Sequence, residues 1–127
     1  ASAQLEEISR PELSFVFPVF DEERNIGKVI ESAREIGEEL KRDFEVIVVD
    51  DGSDDGTADV VCALKHRFSD DRLELVIQQN QGPGAARNAG LRRATSRFVA
   101  FLDSDDQWYP NHLEFSLEKL QKHQILL

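Results

Sequence analysis

The densest chemistry in this chain stands at the end of an apolar run, Phe98-Val99-Ala100-Phe101-Leu102-Asp103-Ser104-Asp105-Asp106. A buried strand here delivers several carboxylates at its tip. Asp103 and Asp105 are two apart and share a side if extended geometry persists. Carboxylates are hard oxygen ligands suited to Mg²⁺ or Mn²⁺, and such a cation can bridge to a diphosphate and neutralise it as it leaves. The plainer reading is a solvated acidic turn capping a helix around Pro110. Against it, three acids at one tip repel each other without a counter-ion.

A second acidic group is Asp50-Asp51-Gly52-Ser53-Asp54-Asp55-Gly56-Thr57, directly after Val48-Val49. Asp51 stands where a carboxylate could accept the N–H of a pyrimidine or guanine ring. Gly52 and Gly56 permit backbone angles that let a ligand lie close. Asp54, Asp55 and Thr57 read as an Asx-turn with a helix cap. In Pro18-Val19-Phe20-Asp21-Glu22-Glu23, the Phe20 ring could stack on a base, while Glu22 and Glu23 complement the dipole of the following helix. Asn80 to Gly90 is not a dinucleotide fingerprint, because its spacing fails and it does not follow the first strand. Its small residues, Gly84 among them, suit tight helix packing and a base pocket, and Arg87 could face a diphosphate or brace the acidic cluster.

Other polar and aromatic residues carry less. Cys62, among Val60, Val61 and Leu64, reads as an inert core thiol. His66 and His123 sit in charged helical stretches and are expected to face solvent. His112 lies near the acids at a helix start. Trp108 and Tyr109 could shape a pocket rim or pack under the last helix.

Those residues need elements to hold them, and the pattern alternates strand and helix throughout. Leu13 to Val19 and Phe44 to Val49 read as buried strands, Leu73 to Ile77 as a third and Arg97 to Leu102 as a fourth. Ile26, Val29, Ile30, Ala33, Ile36 and Leu40 fall on one helical face. Thr57 can open a second helix with Val60, Val61, Leu64 and Phe68 inward. Ala85 to Ala94 reads as a short helix after Gly82-Pro83-Gly84, and Pro110 opens a last one carrying Leu113, Leu117 and Leu120. The fold class is therefore α/β and Rossmann-like, a mostly parallel sheet with helices on both faces. Right-handed crossovers put every strand-to-helix loop at one sheet edge, where open α/β sheets bind ligands.

The formal charge of −10 over 127 residues argues against a general nucleic-acid binder, since nothing here would neutralise a run of phosphates. A phosphorylated ligand near the clustered acids needs a cation to mediate. No apolar run approaches a membrane span. One cysteine excludes an internal disulfide and fits a reducing compartment, so a cytoplasmic chain is expected, at the face of a membrane if further segments attach it.

Taken in order, FVFPVFDEERNI (15–26), FEVIVVDDGSDDGT (44–57), NQGPGAARNAGLRRA (80–94) and FVAFLDSDDQWYPNHL (98–113) resemble the family 2 glycosyltransferases of the GT-A fold. The resemblance covers nearly the whole chain after Leu13, and four motifs in order are far more specific than any one. It implies that residues 1–12 are an extension and 13–127 the part binding a nucleotide diphosphate-sugar donor, most often of uridine. It implies that Pro18, Val19 and Phe20 line the base pocket, with Phe20 where such enzymes often carry tyrosine, and that Asp51 hydrogen-bonds the base. Glu22, Gly84 and Arg87 join the expected nucleotide-binding set. Asp103-Ser104-Asp105 looks like the DXD motif. Asp105 would then bind Mn²⁺ or Mg²⁺ directly, and Asp103 or Ser104 would lie near ribose and metal-bound water. The family transfers one sugar to an acceptor hydroxyl with inversion. Its general base comes from an acceptor-binding half well after the DXD motif; that half is expected outside these residues, and no catalytic base is assigned.

Three rivals differ in kind. A receiver domain shares the length, acidity and strand-end aspartates, but places its acid pair after the first strand and needs a lysine after a fifth. A phosphatase with a DxD nucleophile resembles Leu102 to Asp105 but expects Gly-Thr where Asp106-Gln107-Trp108 stands. The chain could also bind a nucleotide-sugar without turning it over. A missing half that leaves a sheet edge uncovered would favour self-association.

Overall fold

The structure, a computed structural model, describes residues 11–68 and 71–101. In chain order it contains β1 (Leu13–Val19), α1 (Ile26–Glu39), β2 (Phe44–Asp51), α2 (Thr57–Phe68), β3 (Leu73–Gln78), α3 (Pro83–Arg93) and β4 (Phe98–Phe101). The acids after Phe101 and the expected helix from Pro110 lie outside the described residues.

The four strands form one sheet in the order β3-β2-β1-β4, with every pairing parallel. The chain steps outward from β1 to β2 to β3, then returns across β1 to lay down β4. Right-handed connections make such a reversal put the returning helix on the opposite face. Accordingly Ile26, Ile30, Ala33, Ile36, Val61 and Leu64 of α1 and α2 pack on one face, against Phe15, Phe17, Val46 and Val48. Ala86 and Ala89 of α3 pack on the other, against Val16, Ile47 and Val49. The expectation of helices on both faces holds. The order also overturns the receiver reading, because receivers place the third strand beside the first, on the side where this sheet has β4.

β1 and β2 are apolar on both sides because both sides are covered. Phe15 meets Phe44 edge-on, with centroids 6.0 Å apart. Pro18 is tolerated in a central strand for a local reason. The Leu13 amide bonds Asp43 of the β2 side and Glu12 accepts from Phe98 of the β4 side, so even-numbered residues of β1 turn their backbone toward β4. The missing amide of Pro18 therefore faces away from β2, and the β1–β2 ladder stays intact through Val19.

Local structure departs from expectation in several places. Cys62 is exposed rather than core, since Val61 and Leu64 already define the inner stripe of α2. His66 is exposed as expected. α1 begins at Ile26 with no acid in its first turn. Glu22 and Glu23 stand in the turn that leads into it, with the Ile26 amide donating to the Glu22 carbonyl. β2 runs on through Asp51, β3 includes Gln78, and α3 starts at Pro83, two residues earlier than expected. Pro at a first helical position supplies a preset φ and lacks only an amide that would be unpaired anyway.

At the edge away from the strand tips, Ser14, fully buried, meets Glu45 and Ser96. Glu45 also accepts the Thr95 amide at 3.1 Å, which fixes the α3–β4 connection to the sheet. Among the described residues, no helix is long and apolar enough to cross a membrane.

Candidate functional site

A cavity of about 260 Å³ opens at the carboxyl ends of β1 and β2, beneath the start of α3. Pro18, Val19 and Phe20 form its near wall, Asp51 its floor, and Asn80, Gly82, Pro83 and Ala86 its far wall. Period-2 alternation explains the floor: Ile47, Val49 and Asp51 point to the α3 face, so continuing β2 by one pleat brings a carboxylate to the mouth of an otherwise apolar layer.

Asp51 is only 5% exposed, and both of its carboxylate oxygens accept hydrogen bonds. Its Oδ1 accepts Gln78 Nε2 and the Gln81 amide, each at 2.9 Å, and its Oδ2 accepts the Gly82 amide at 2.9 Å. The floor therefore holds the far wall. A carboxylate offers about four acceptor positions, so one remains on Oδ2. Gly82 has φ +99, open to glycine and not to other residues, and this lets the chain turn into α3 with its amide on Asp51. Gly52, at φ +77, is equally constrained: a Cβ there would stand 2.7 Å from the Asn80 nitrogen.

Burial works to raise the Asp51 pKa, while the bonds from Gln78, Gln81 and Gly82 lower it and prevail, so the carboxyl titrates below its usual range. Asp55 is likewise lowered, first by the Thr57 hydroxyl. It also accepts the Thr57 amide at 3.0 Å, the expected Asx-turn at the start of α2. The folded pKa of Asp51 lies below the unfolded value of about 3.9. Its contribution is then complete above that pH and lost as pH falls through the lower folded value. Protection of the Gln81 and Gly82 amides should stay level from neutral pH down to about 4 and decline only below it. Amide exchange followed across a pH series checks this; an earlier decline would show that Asp51 is not their anchor.

The sequence-derived residues divide into groups. Pro18, Val19, Phe20 and Asp51 come together on the cavity. Glu22 does not line it: its carboxylate faces Asn25 Nδ2 at 3.3 Å, and its amide bonds Thr57. Gly84 and Arg87 are exposed on α3, outside the lining. Asp103, Ser104 and Asp105 lie outside the described residues. Asn80, Gly82, Pro83 and Ala86 belong to a segment that the sequence marks as a pocket wall without pointing to them individually. Their signal was Gly82-Pro83 itself, a turn into a helix first turn.

The sequence profile described as glycosyl transferase family 2 matches residues 14–126. The chain belongs to that family. A glucosyltransferase of Escherichia coli, named as acting on UDP-Glc and α-D-GlcNAc-diphosphoundecaprenol, is 35% identical to this family 2 chain over 114 residues, 89% of the chain and 42% of the relative. The mannosyltransferase of Pyrobaculum calidifontis, solved with GDP-Man and Mn²⁺, superposes with a TM-score of 0.77 at 29% identity, covering 87% of this chain and 32% of that one. Residues 1–349 of TarS from S. aureus, solved with UDP-GlcNAc, give 0.63 at 31% identity, covering 88% and 32%. The family 2 chain spans less than half the length of curated relatives it matches, 42% of the Escherichia coli enzyme and 16% of an uncharacterized glycosyltransferase of Rickettsia bellii. Its sheet is therefore the GT-A type of α/β layer, and relatives of this kind bind nucleotide sugars.

Proposed function

We propose that this chain is the donor-binding part of a glycosyltransferase, holding a nucleotide diphosphate-sugar with its base in the cavity. The observation that carries this is the floor of the cavity: a buried, ionised Asp51 with one acceptor position left, beside a half-exposed aromatic ring, Phe20. An acceptor fits the ring N–H of uracil or guanine. It opposes cytosine, whose ring nitrogen at that position is itself an acceptor, and a buried pair of acceptors is unfavourable. Uridine diphosphate is the expected nucleotide, with guanosine diphosphate the nearest competitor.

The fit of a divalent cation is supported by the donor set. β4 runs parallel to β1, and Leu102-Asp103-Ser104-Asp105 follows Phe101 directly in the sequence. Asp105 and Asp103 would hold Mn²⁺ or Mg²⁺, which supplies charge neutralisation for the departing diphosphate. Ser104 would contribute near the ribose. Transfer to an acceptor hydroxyl with inversion needs a base that this chain is not assigned. Binding without turnover is therefore the activity proposed for these residues alone.

Calorimetric titration decides it. UDP should bind in the presence of Mn²⁺, and CDP roughly tenfold or more weakly. Binding should become cation-independent and weaker in Asp105→Ala. Equal affinity for UDP and CDP, or no binding of UDP, GDP or TDP, would remove the reading.

A further inference from the structure

We propose that Asp21 and Ser53 are positioning residues that set the distance between the two walls of the cavity, an inference that rests on the nucleotide reading. Phe20 is 45% exposed, so the core does not hold its ring. Its place depends on the backbone that follows β1. There the chain turns at once: Asp21 has φ 52, a left-handed conformation uncommon for a residue with a side chain and best tolerated by Asp and Asn.

That turn is fastened to a second loop at three successive amides. Asp21 N–H donates to Ser53 Oγ at 2.8 Å, Glu22 N–H to Thr57 Oγ1 at 3.0 Å, and Glu23 N–H to Asp55 Oδ2 at 3.2 Å. In return Asp21 Oδ1 accepts the Asp54 amide at 2.9 Å. Ser53 is itself tied to the end of β2, its amide donating to Asp50 Oδ1 at 3.0 Å, and Asp50 is buried. A continuous path of fixed groups thus runs from β2 through Asp50 and Ser53 to Asp21 and Phe20.

The same loop secures the opposite wall. Asp51 holds the Gln81 and Gly82 amides, and Asn80 lies so near Gly52 that a Cβ there would stand 2.7 Å from its nitrogen. Residues 50–57 therefore hold both walls, Asp51 and Gly52 on one side and Ser53 to Thr57 on the other. In each of these hydrogen bonds a side-chain oxygen accepts from a backbone amide of the facing segment, so the wall is held by its main chain. A ring held at a fixed gap stacks on any base. The clasp should therefore set affinity for every base alike, whereas Asp51 should set the choice between bases.

The test uses the 127-residue chain with Mn²⁺, titrated with UDP and with GDP. Ser53→Ala and Asp21→Ala should each weaken both nucleotides roughly threefold to tenfold, leaving the ratio of the two affinities as in wild type. Asp21→Asn keeps the Oδ1 acceptor and the tolerance for positive φ, so it should bind within about twofold of wild type. Without nucleotide, the Asp21 and Glu22 amides should exchange faster in Ser53→Ala and Asp21→Ala but not in Asp21→Asn. Unchanged affinities in Ser53→Ala and Asp21→Ala overturn the inference and leave the nucleotide site standing. Asp21→Asn as weak as Asp21→Ala overturns it too, since the geometry of the clasp would then be irrelevant. A wild-type chain that binds neither nucleotide overturns the nucleotide reading, and this inference with it.

Discussion

Asp51→Ala should lose nucleoside diphosphate binding by roughly one to two orders of magnitude while the protein still folds. Two effects add. The variant removes the acceptor proposed for the base, and hydrogen bonds to charged groups contribute about 1.5–3 kcal/mol each. It also releases Gln78 Nε2 and the Gln81 and Gly82 amides, so the far wall loses its anchor. The stability cost should fall at the low end of about 1–3 kcal/mol, because Gln81 is exposed and its freed amide can reach water. Asp51→Asn separates the two effects. Its oxygen can keep Gln78 and Gln81, but its NH₂ opposes the Gly82 amide and offers the base a donor instead of an acceptor. The preference for UDP over CDP should shrink or reverse. Titration of both nucleotides, with melting curves for each variant, reads this out; an unchanged UDP-to-CDP ratio in Asp51→Asn would detach Asp51 from base choice.

Adding one methyl group at Gly90, in the last turns of α3, should cost both stability and nucleotide affinity. Alanine is normally the better helix former by about 1 kcal/mol. Here its Cβ would stand 2.3 Å from Val16 Cγ1 and 3.3 Å from Val49 Cγ2, distances that require something to shift. Val16 and Val49 are fully buried and β-branched, with little rotamer freedom to yield. Overpacking of this kind costs about 1–3 kcal/mol, so the clash exceeds the propensity gain, and α3 must lift off the sheet. Since α3 carries Pro83 and Ala86 of the far wall, nucleotide affinity should fall alongside the melting temperature. Gly84→Ala, in the same helix, is the control. A Cβ there meets nothing within 4 Å, so the unbound protein should be unchanged or stabilised by about 0.5–1 kcal/mol. If Gly84 belongs to the nucleotide-binding set, as the sequence leads one to expect, affinity should drop in this variant without any loss of stability. A Gly90→Ala protein as stable as wild type would mean that the helix does not sit as close to Val16 as described.

Much of the framework was legible because it follows from local periodicity. Continuous apolar runs at 13–19 and 44–49 mark strands buried on both faces, and the Ile26-to-Leu40 stripe marks the inner face of α1. Element ends were less legible. Asp51 reads as loop by residue type, yet it continues β2, because the ladder to Gln78 of β3 extends the strand by tertiary pairing. Cys62 shows the same limit: an apolar neighbourhood in sequence does not fix which way a helical side chain turns.

The site was legible in its residue types and not in its wiring. Phe20 and Asp51 follow from residue type and position, Pro18 and Val19 from the family resemblance, and all four converge on one cavity. Nothing in the order of residues reveals that Asp51 accepts from two amides of the β3–α3 loop as well as from Gln78, or that Ser53 fastens Asp21. These are contacts between segments about thirty residues apart, made by side chains to backbone amides. By itself the sequence determined the alternating α/β pattern, the acid clusters at strand ends and the family, since these rest on periodicity, composition and motif order along the chain. Only the tertiary structure decided the order β3-β2-β1-β4, the placement of α3 against Val16 and the clamping of both cavity walls to residues 50–57. Those depend on which loops meet once the sheet has formed, and that information exists only in three dimensions.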